Sequence, residues 1–203
     1  GYQAFMSNPN ITDYTKLSSY IGSSNPAAFI QGFEKAAYQS GLRDAQFNKN
    51  NSSNLTDPAK SQYIQAQNEY NSAYQSALSS TGDLSTQTAV QNFINQNNLP
   101  NTNATIQAIS DAQGVSAFVK DEQAGSISTS TASSTGNRFS QLTSGQQSAY
   151  IDAYTGYQNA LTVGKQADNP DANSDKAESA GFDYAQSIIN GGLSTTSPSS
   201  TAA

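Results

Sequence analysis

The 203-residue sequence contains no cysteine, no histidine and no tryptophan. Without cysteine there are no disulfides, thiolate zinc sites or cysteine nucleophiles. Without histidine the commonest general base and the commonest metal ligand are missing, along with any Ser-His or Cys-His triad. Charge is also scarce: Asp, Glu, Lys and Arg make up 12% of the chain, against roughly 25% in an average globular protein. The nine Lys and Arg residues are spread over the whole length and form no patch. That excludes the electrostatic footprint of a nucleic-acid binder and argues against attraction to anionic lipid. No apolar run approaches the roughly 18 residues of a membrane-spanning helix, so no membrane insertion is expected.

Uncharged polar residues take the place of charge. Ser, Thr, Asn and Gln together number 88 of 203 residues. Hydrophobic residues make up 35%, enough for a lean core, and the net charge of −6 gives a pI near 4.4. The apolar residues recur at helical spacing, and no stretch shows the β-branched alternation of strands. The expected fold is all-α, a bundle of antiparallel helix pairs joined by Asn/Asp/Pro-rich loops. Short and long helices are expected over 12–21, 26–48, 57–80, 85–97, 103–113, 115–124, 146–164 and 174–190, with Gly114 splitting the middle pair. An aromatic-Ile step marks three of them, at Phe29-Ile30, Tyr63-Ile64 and Tyr150-Ile151.

In helix 26–48 the expected core stripe is Phe29, Ile30, Phe33, Ala37 and Ala45. In 57–80 it is Tyr63, Tyr70 and Ala77, with Ala66 and Ala73 repeating the spacing of seven. Helix 146–164 presents Tyr150, Tyr154, Tyr157 and Leu161, and helix 174–190 presents Ala177, Gly181, Tyr184 and Ile188. The pairs 26–48 with 57–80 and 146–165 with 174–190 read as antiparallel hairpins and as candidate diverged copies of one unit. Residues 1–193 read as one helical domain, with the aperiodic 126–137 stretch as its candidate internal boundary and 194–203 as a Ser/Thr-rich linker. The opening Gly1-Tyr2-Gln3-Ala4-Phe5 reads as mid-pattern, as expected of a segment from a longer protein.

Four kinds of candidate chemistry arise from these residues. Tyrosine faces stack on sugar rings, and Asn, Gln and Asp hydrogen-bond hydroxyls; at helical spacing, however, the rings read first as core. Asp171, Asn173 and Asp175 match the first three ligands of a calcium loop, but Lys176 replaces the required Gly and Phe182 the bidentate Glu. The run therefore reads as an Asx-rich turn, with Asn173 or Ser174 capping the next helix. Paired carboxylates for glycoside hydrolysis would have to come from Glu34, Glu69, Asp152 and Glu178. Each falls on a solvated position by pattern, and no motif joins two of them. Gly191-Gly192 lacks the Lys and the entering strand of a phosphate loop and reads as a helix stop. Sequons at Asn10, Asn50, Asn51, Asn54 and Asn103 are expected by chance in so Asn-rich a chain. No catalytic residue, metal ligand or cofactor is expected, and no ligand-binding residue is singled out.

The segment Ala149-Tyr150-Ile151-Asp152-Ala153-Tyr154-Thr155-Gly156-Tyr157-Gln158-Asn159-Ala160-Leu161 resembles surface proteins of lactobacilli and related lactic acid bacteria. Ala180-Gly181-Phe182-Asp183-Tyr184-Ala185-Gln186 is similar to them too. In that group Tyr- and Ala-rich helical modules lie near serine-rich repeat stalks, and the Ser/Thr tail is similar to the start of such a stalk. The resemblance covers about 26–80 and 146–203 and contains no anchor motif. It implies a cell-surface adhesin or aggregation factor outside the cell, not an enzyme. Its partners would be glycans or proteins of host or bacterial surfaces; separately, the pI near 4.4 leads to the expectation that self-association is favoured at acidic pH. A non-binding spacer is the first alternative and a glycan-active enzyme the second.

Overall fold

Side chains fix where these helices begin. Thr86, Thr102, Thr143 and Asp175 each accept a hydrogen bond from a backbone N–H of the turn they precede. A cap of this kind contributes about 1 kcal/mol. At Thr143 the arrangement is reciprocal, a capping box: its hydroxyl accepts from the Gln146 N–H, and the Gln146 Oε1 accepts from the Thr143 N–H at 3.0 Å. Asp175, not Asn173 or Ser174, caps the last helix; its Oδ1 accepts from the Ala177 N–H at 2.7 Å.

The computed structural model describes residues 1–9, 26–80, 82–129, 138–164 and 175–190. Among them are seven α-helices and no strand. They are α1 (Tyr2–Ser7), α2 (Pro26–Gln46), α3 (Ala59–Leu78), α4 (Gln87–Gln96), α5 (Asn103–Gln123), α6 (Ser144–Val163) and α7 (Lys176–Ile189). The expected helix 12–21, the linker 194–203 and the Asp171 and Asn173 positions lie outside the described residues. The chain divides into two compact units, Gly1–Asn71 and Ser72–Ala203, so the division falls within α3. The 126–137 stretch lies inside the second unit, and residues 130–137 are outside the described ones.

In the first unit α2 and the start of α3 pack antiparallel. A Cβ on Gly41 would come within 2.2 Å of the Tyr63 carbonyl oxygen, so only glycine allows this approach. The Tyr63 hydroxyl donates to Asp44 Oδ2 at 2.6 Å and accepts from the Asn51 N–H at 2.8 Å. It thereby ties the inter-helix loop to both helices. Phe33, Ala37 and Ala45 are buried as expected, whereas Phe29 and Ile30 are half-buried and Ala36 and Gly41 complete the core face. α1 is a helix the sequence did not reveal, because six residues show no period. Its Phe5 is buried edge-on against Phe33, with ring centroids 5.4 Å apart.

In the second unit α6 and α7 are also antiparallel and closer still. A Cβ on Gly156 would lie 1.9 Å from the Glu178 carbonyl oxygen, and one on Gly181 would lie 1.8 Å from that of Ala153. The buried faces are Ala149, Tyr150, Ala153, Gly156 and Ala160 on α6, and Ala177, Gly181, Phe182 and Ala185 on α7. Leu161, expected in the core, is exposed. α5 corrects another expectation: it runs unbroken through Gly114. There a Cβ would meet the Gln146 carbonyl oxygen at 2.3 Å, so the glycine is kept for contact with α6 and does not break the helix.

The pairing of α5 with α6 departs from the antiparallel scheme. Gly114 meets Gln146, Phe118 meets Tyr150 and Glu122 meets Tyr157. Both residue numbers rise together, so the two helices run parallel. A parallel neighbour requires the chain to return over the length of α5, roughly 30 Å for 21 residues.

Replacing Gly156 or Gly181 by Ala forces backbone apart and should destabilise the second unit by about 2 kcal/mol or more. Gly82→Ala, whose Cβ would meet only the Ser80 hydroxyl at 3.4 Å, should leave the urea midpoint unchanged. Equilibrium denaturation of the three variants checks this; equal midpoints would contradict the close packing.

Candidate functional site

The aromatic cluster of the second unit is built around the fully buried Phe118. Its ring meets those of Tyr150, Tyr157 and Tyr184 edge-on, with centroids 5.5–6.4 Å apart, and that of Tyr154 at a tilt. Tyr150 is fully buried, and Tyr154, Tyr157 and Tyr184 are half-buried. The three tyrosines of α6 therefore form no exposed stacking platform; their rings belong to the core, as helical spacing indicates.

Their hydroxyls end on carboxylates. Tyr150 donates to Asp121 Oδ2 at 3.1 Å, and Asp121 also forms an ion pair with Arg138 through Nε at 2.7 Å. Glu122 accepts from two tyrosines, Tyr157 at 3.0 Å on Oε1 and Tyr184 at 2.6 Å on Oε2. The single Glu122 side chain thus links α5, α6 and α7. The first unit uses the same device: Tyr63 donates to Asp44, and Tyr38 donates to Glu69. Burial is the main cause that pushes the Tyr150 and Tyr157 hydroxyls up to about 12. Asp121 and Glu122 were not singled out in the sequence. The available signal was chemical: buried tyrosines need acceptors, and few carboxylates are present to supply them.

A second group of ionisable residues lies where α3, α5, α6 and α7 approach one another within the second unit. Burial pushes the Asp152 carboxyl up to about 6, with Asp175, Glu178 and Asp111 adding repulsion in that order. Asp175 and Asp183 are also raised, each mainly by burial. Asp111 is buried and accepts from Gln107 at 2.8 Å; Glu178 accepts from Asn159 at 3.1 Å. The Lys176 ammonium stands 5.4 Å from the centre of the Tyr74 ring, and burial lowers its pKa. Glu34, Glu69, Asp152 and Glu178 are all half-buried, not solvated as the pattern implied.

The structure brings Asp152 and Glu178 together, but neither lines the polar cleft or the two larger grooves of this unit. Among the described residues no three acidic side chains are placed to hold a metal ion, and no helix is long and apolar enough to cross a membrane. The hollows are a polar cleft of about 230 Å³ beside Lys120 and Arg138, an apolar groove of about 540 Å³ between α5 and α7, and a groove of about 560 Å³ between α4 and α5.

A carboxyl with a raised folded-state pKa binds its proton more tightly when folded. Its stabilising effect is fully present below the ordinary carboxylate value of about 4 and is lost as pH rises through about 6. The chain should therefore melt at a higher temperature at pH 5 than at pH 7, and Asp152→Asn should reduce that difference. Thermal melts followed by circular dichroism at the two pH values check it; a lower melting temperature at pH 5 would contradict it. No protein-family model matches this chain, and no curated protein or solved structure shows significant similarity to it.

Proposed function

We propose that this chain is the ligand-binding helical region of a secreted or wall-anchored bacterial surface protein. In this role it attaches the cell to a host glycoprotein, a polysaccharide or another cell. The observation that carries the reading is the division of labour among its residues. Most of the described aromatic side chains, Tyr2 and Phe47 excepted, are drawn into or against the core, and five tyrosines are tied to carboxylates, leaving an outer coat rich in hydroxyls and amides with few charges. Such a coat resists nonspecific ionic adsorption and offers donors and acceptors that match sugar hydroxyls and peptide groups. The raised carboxyls add a preference for acidic surroundings. The resemblance to surface proteins of lactic acid bacteria supports the same habitat.

A spacer that presents another domain is the second reading, and the burial of Tyr150 favours it, since that ring is withdrawn from any ligand. A glycan array combined with adhesion of coated beads to mucin and to bacterial cells separates the two. Selective retention supports the adhesin; silence on every surface supports the spacer.

Acid should also promote self-association. Lowering pH from 7 towards the pI near 4.4 removes the net charge of −6 that keeps copies apart. Sedimentation velocity should show a growing fraction of dimers or larger species between pH 7 and pH 4. An unchanged monomer throughout that range would rule out acid-driven association.

A further inference from the structure

Two hollows of the second unit share lining residues on one strip of α5. On one side is the groove of about 540 Å³, walled by Leu78, Val115, Val119, Ala180 and Tyr184. On the other is the cleft of about 230 Å³, whose polar lining includes Gln113, Arg138 and Gln141, with Asp83 as its one carboxylate. Ser116 and Lys120, one helical turn apart, line both. An apolar trough and a donor-rich pocket thus share a single lysine. We infer that this two-part hollow binds a single-chain anionic amphiphile, with its alkyl tail in the groove and its head on Lys120.

Several features of the site support that occupant. The groove size falls within the ~300–1,000 Å³ common for small-molecule sites, too small for a partner domain. Its Tyr184 wall is held in place before any ligand arrives, by the hydroxyl's bond to Glu122 at 2.6 Å and by ring contact with Phe118. Preformed walls spare the ligand the ordering entropy of building them. Leu78 is 36% exposed at the groove, so a tail laid against it removes apolar surface from water on both partners. Each methylene so withdrawn strengthens binding by up to about fourfold.

The head is fixed by charge. Lys120 is one of nine basic residues in a chain of net charge −6. It is exposed, and its side chain makes no ion pair among the described residues. Arg138 directs Nε to Asp121, which leaves its two terminal amino groups as the donors available to an oxyanion. Asp121 offsets the charge of Arg138, and Asp83 lies within electrostatic reach of Lys120 in the same cleft. Lys120 is the basic group there outside an ion pair, so it is the group that meets the anionic head, and Arg138 supplies hydrogen bonds. A neutral long-chain alcohol lacks the first interaction, and a short carboxylate lacks the tail.

Titration calorimetry of the intact chain with decanoate, below its micellar concentration and at pH 7, tests the inference. Decanoate should bind saturably at one per chain, with octanoate weaker and acetate silent, and decanol should bind less tightly than decanoate. Lys120→Gln, at an exposed position, should weaken decanoate about fivefold and leave decanol unchanged. Ala180→Leu, which fills the groove, should weaken both, with a thermal melt confirming that it folds. Absence of saturable binding, equal affinity for decanol and decanoate, or indifference to Lys120→Gln would each overturn the inference. None of these outcomes depends on adhesion to glycans, so the amphiphile site and the surface role stand or fall separately.

Discussion

The close approach of one helix backbone to another governs the rest of this structure. At Gly41, Gly114, Gly156 and Gly181 a carbonyl of the neighbouring helix occupies the space where a side chain would begin. Alanines continue the seams on either side, at Ala37 and Ala45 in α2 and at Ala153 and Ala160 in α6. Small residues bury little apolar area each, so the hydrophobic driving force per residue is low. Dense backbone contact compensates through dispersion, which is weak for each atom pair and large in sum. A chain with a 35% hydrophobic fraction can fold in this way only if its helices nearly touch.

Aromatic rings fill the remaining volume, and this choice brings the polar chemistry inside. A tyrosine buried for its ring must place its hydroxyl, and the structure places five of them on Asp44, Glu69, Asp121 and Glu122. The few acids of the chain are therefore used in part as internal acceptors, and the surface is left to amides and hydroxyls. Burial of Asp152 and repulsion from the neighbouring Asp175, Glu178 and Asp111 together set the sense of the pH response.

Helix content was legible because period and punctuation agreed. Pro26 stands at the start of its helix, and the seven-residue spacing of Tyr63, Tyr70 and Ala77 is buried as its face requires; the capping roles of Thr86 and Thr143 emerged only in the structure. Gly114 misled because a glycine in a helix reads as a break when judged by propensity alone, while its role is set by a residue 32 positions away. The core faces of α6 and α7 were rotated from expectation for a related reason. Hydrophobicity favours Leu161 and Tyr184, whereas close packing selects Gly156 and Ala185. The parallel course of α5 and α6 left no local trace, since orientation depends on which surfaces meet and not on any motif. Nor was the meeting of the groove and the cleft at Lys120 visible in sequence, because it joins residues from α3, α5, α7 and the loop before α6.

The parallel arrangement of α5 and α6 also constrains how the second unit acquires its structure. Contacts between α6 and α7 join residues close in sequence and can form as soon as both helices exist. Those between α5 and α6 close loops of about 30 residues, and the bond from Tyr184 to Glu122 closes one of 62. Loop closure must be completed before those contacts return any energy, and its entropic cost grows slowly, with the logarithm of loop length. Contacts within the α6–α7 hairpin therefore carry the smaller closure cost, and those that dock α5 through Phe118 and Glu122 carry the larger one. In a chain emerging from a ribosome or a membrane pore, α5 must wait for more than sixty further residues before its carboxylate finds both partners.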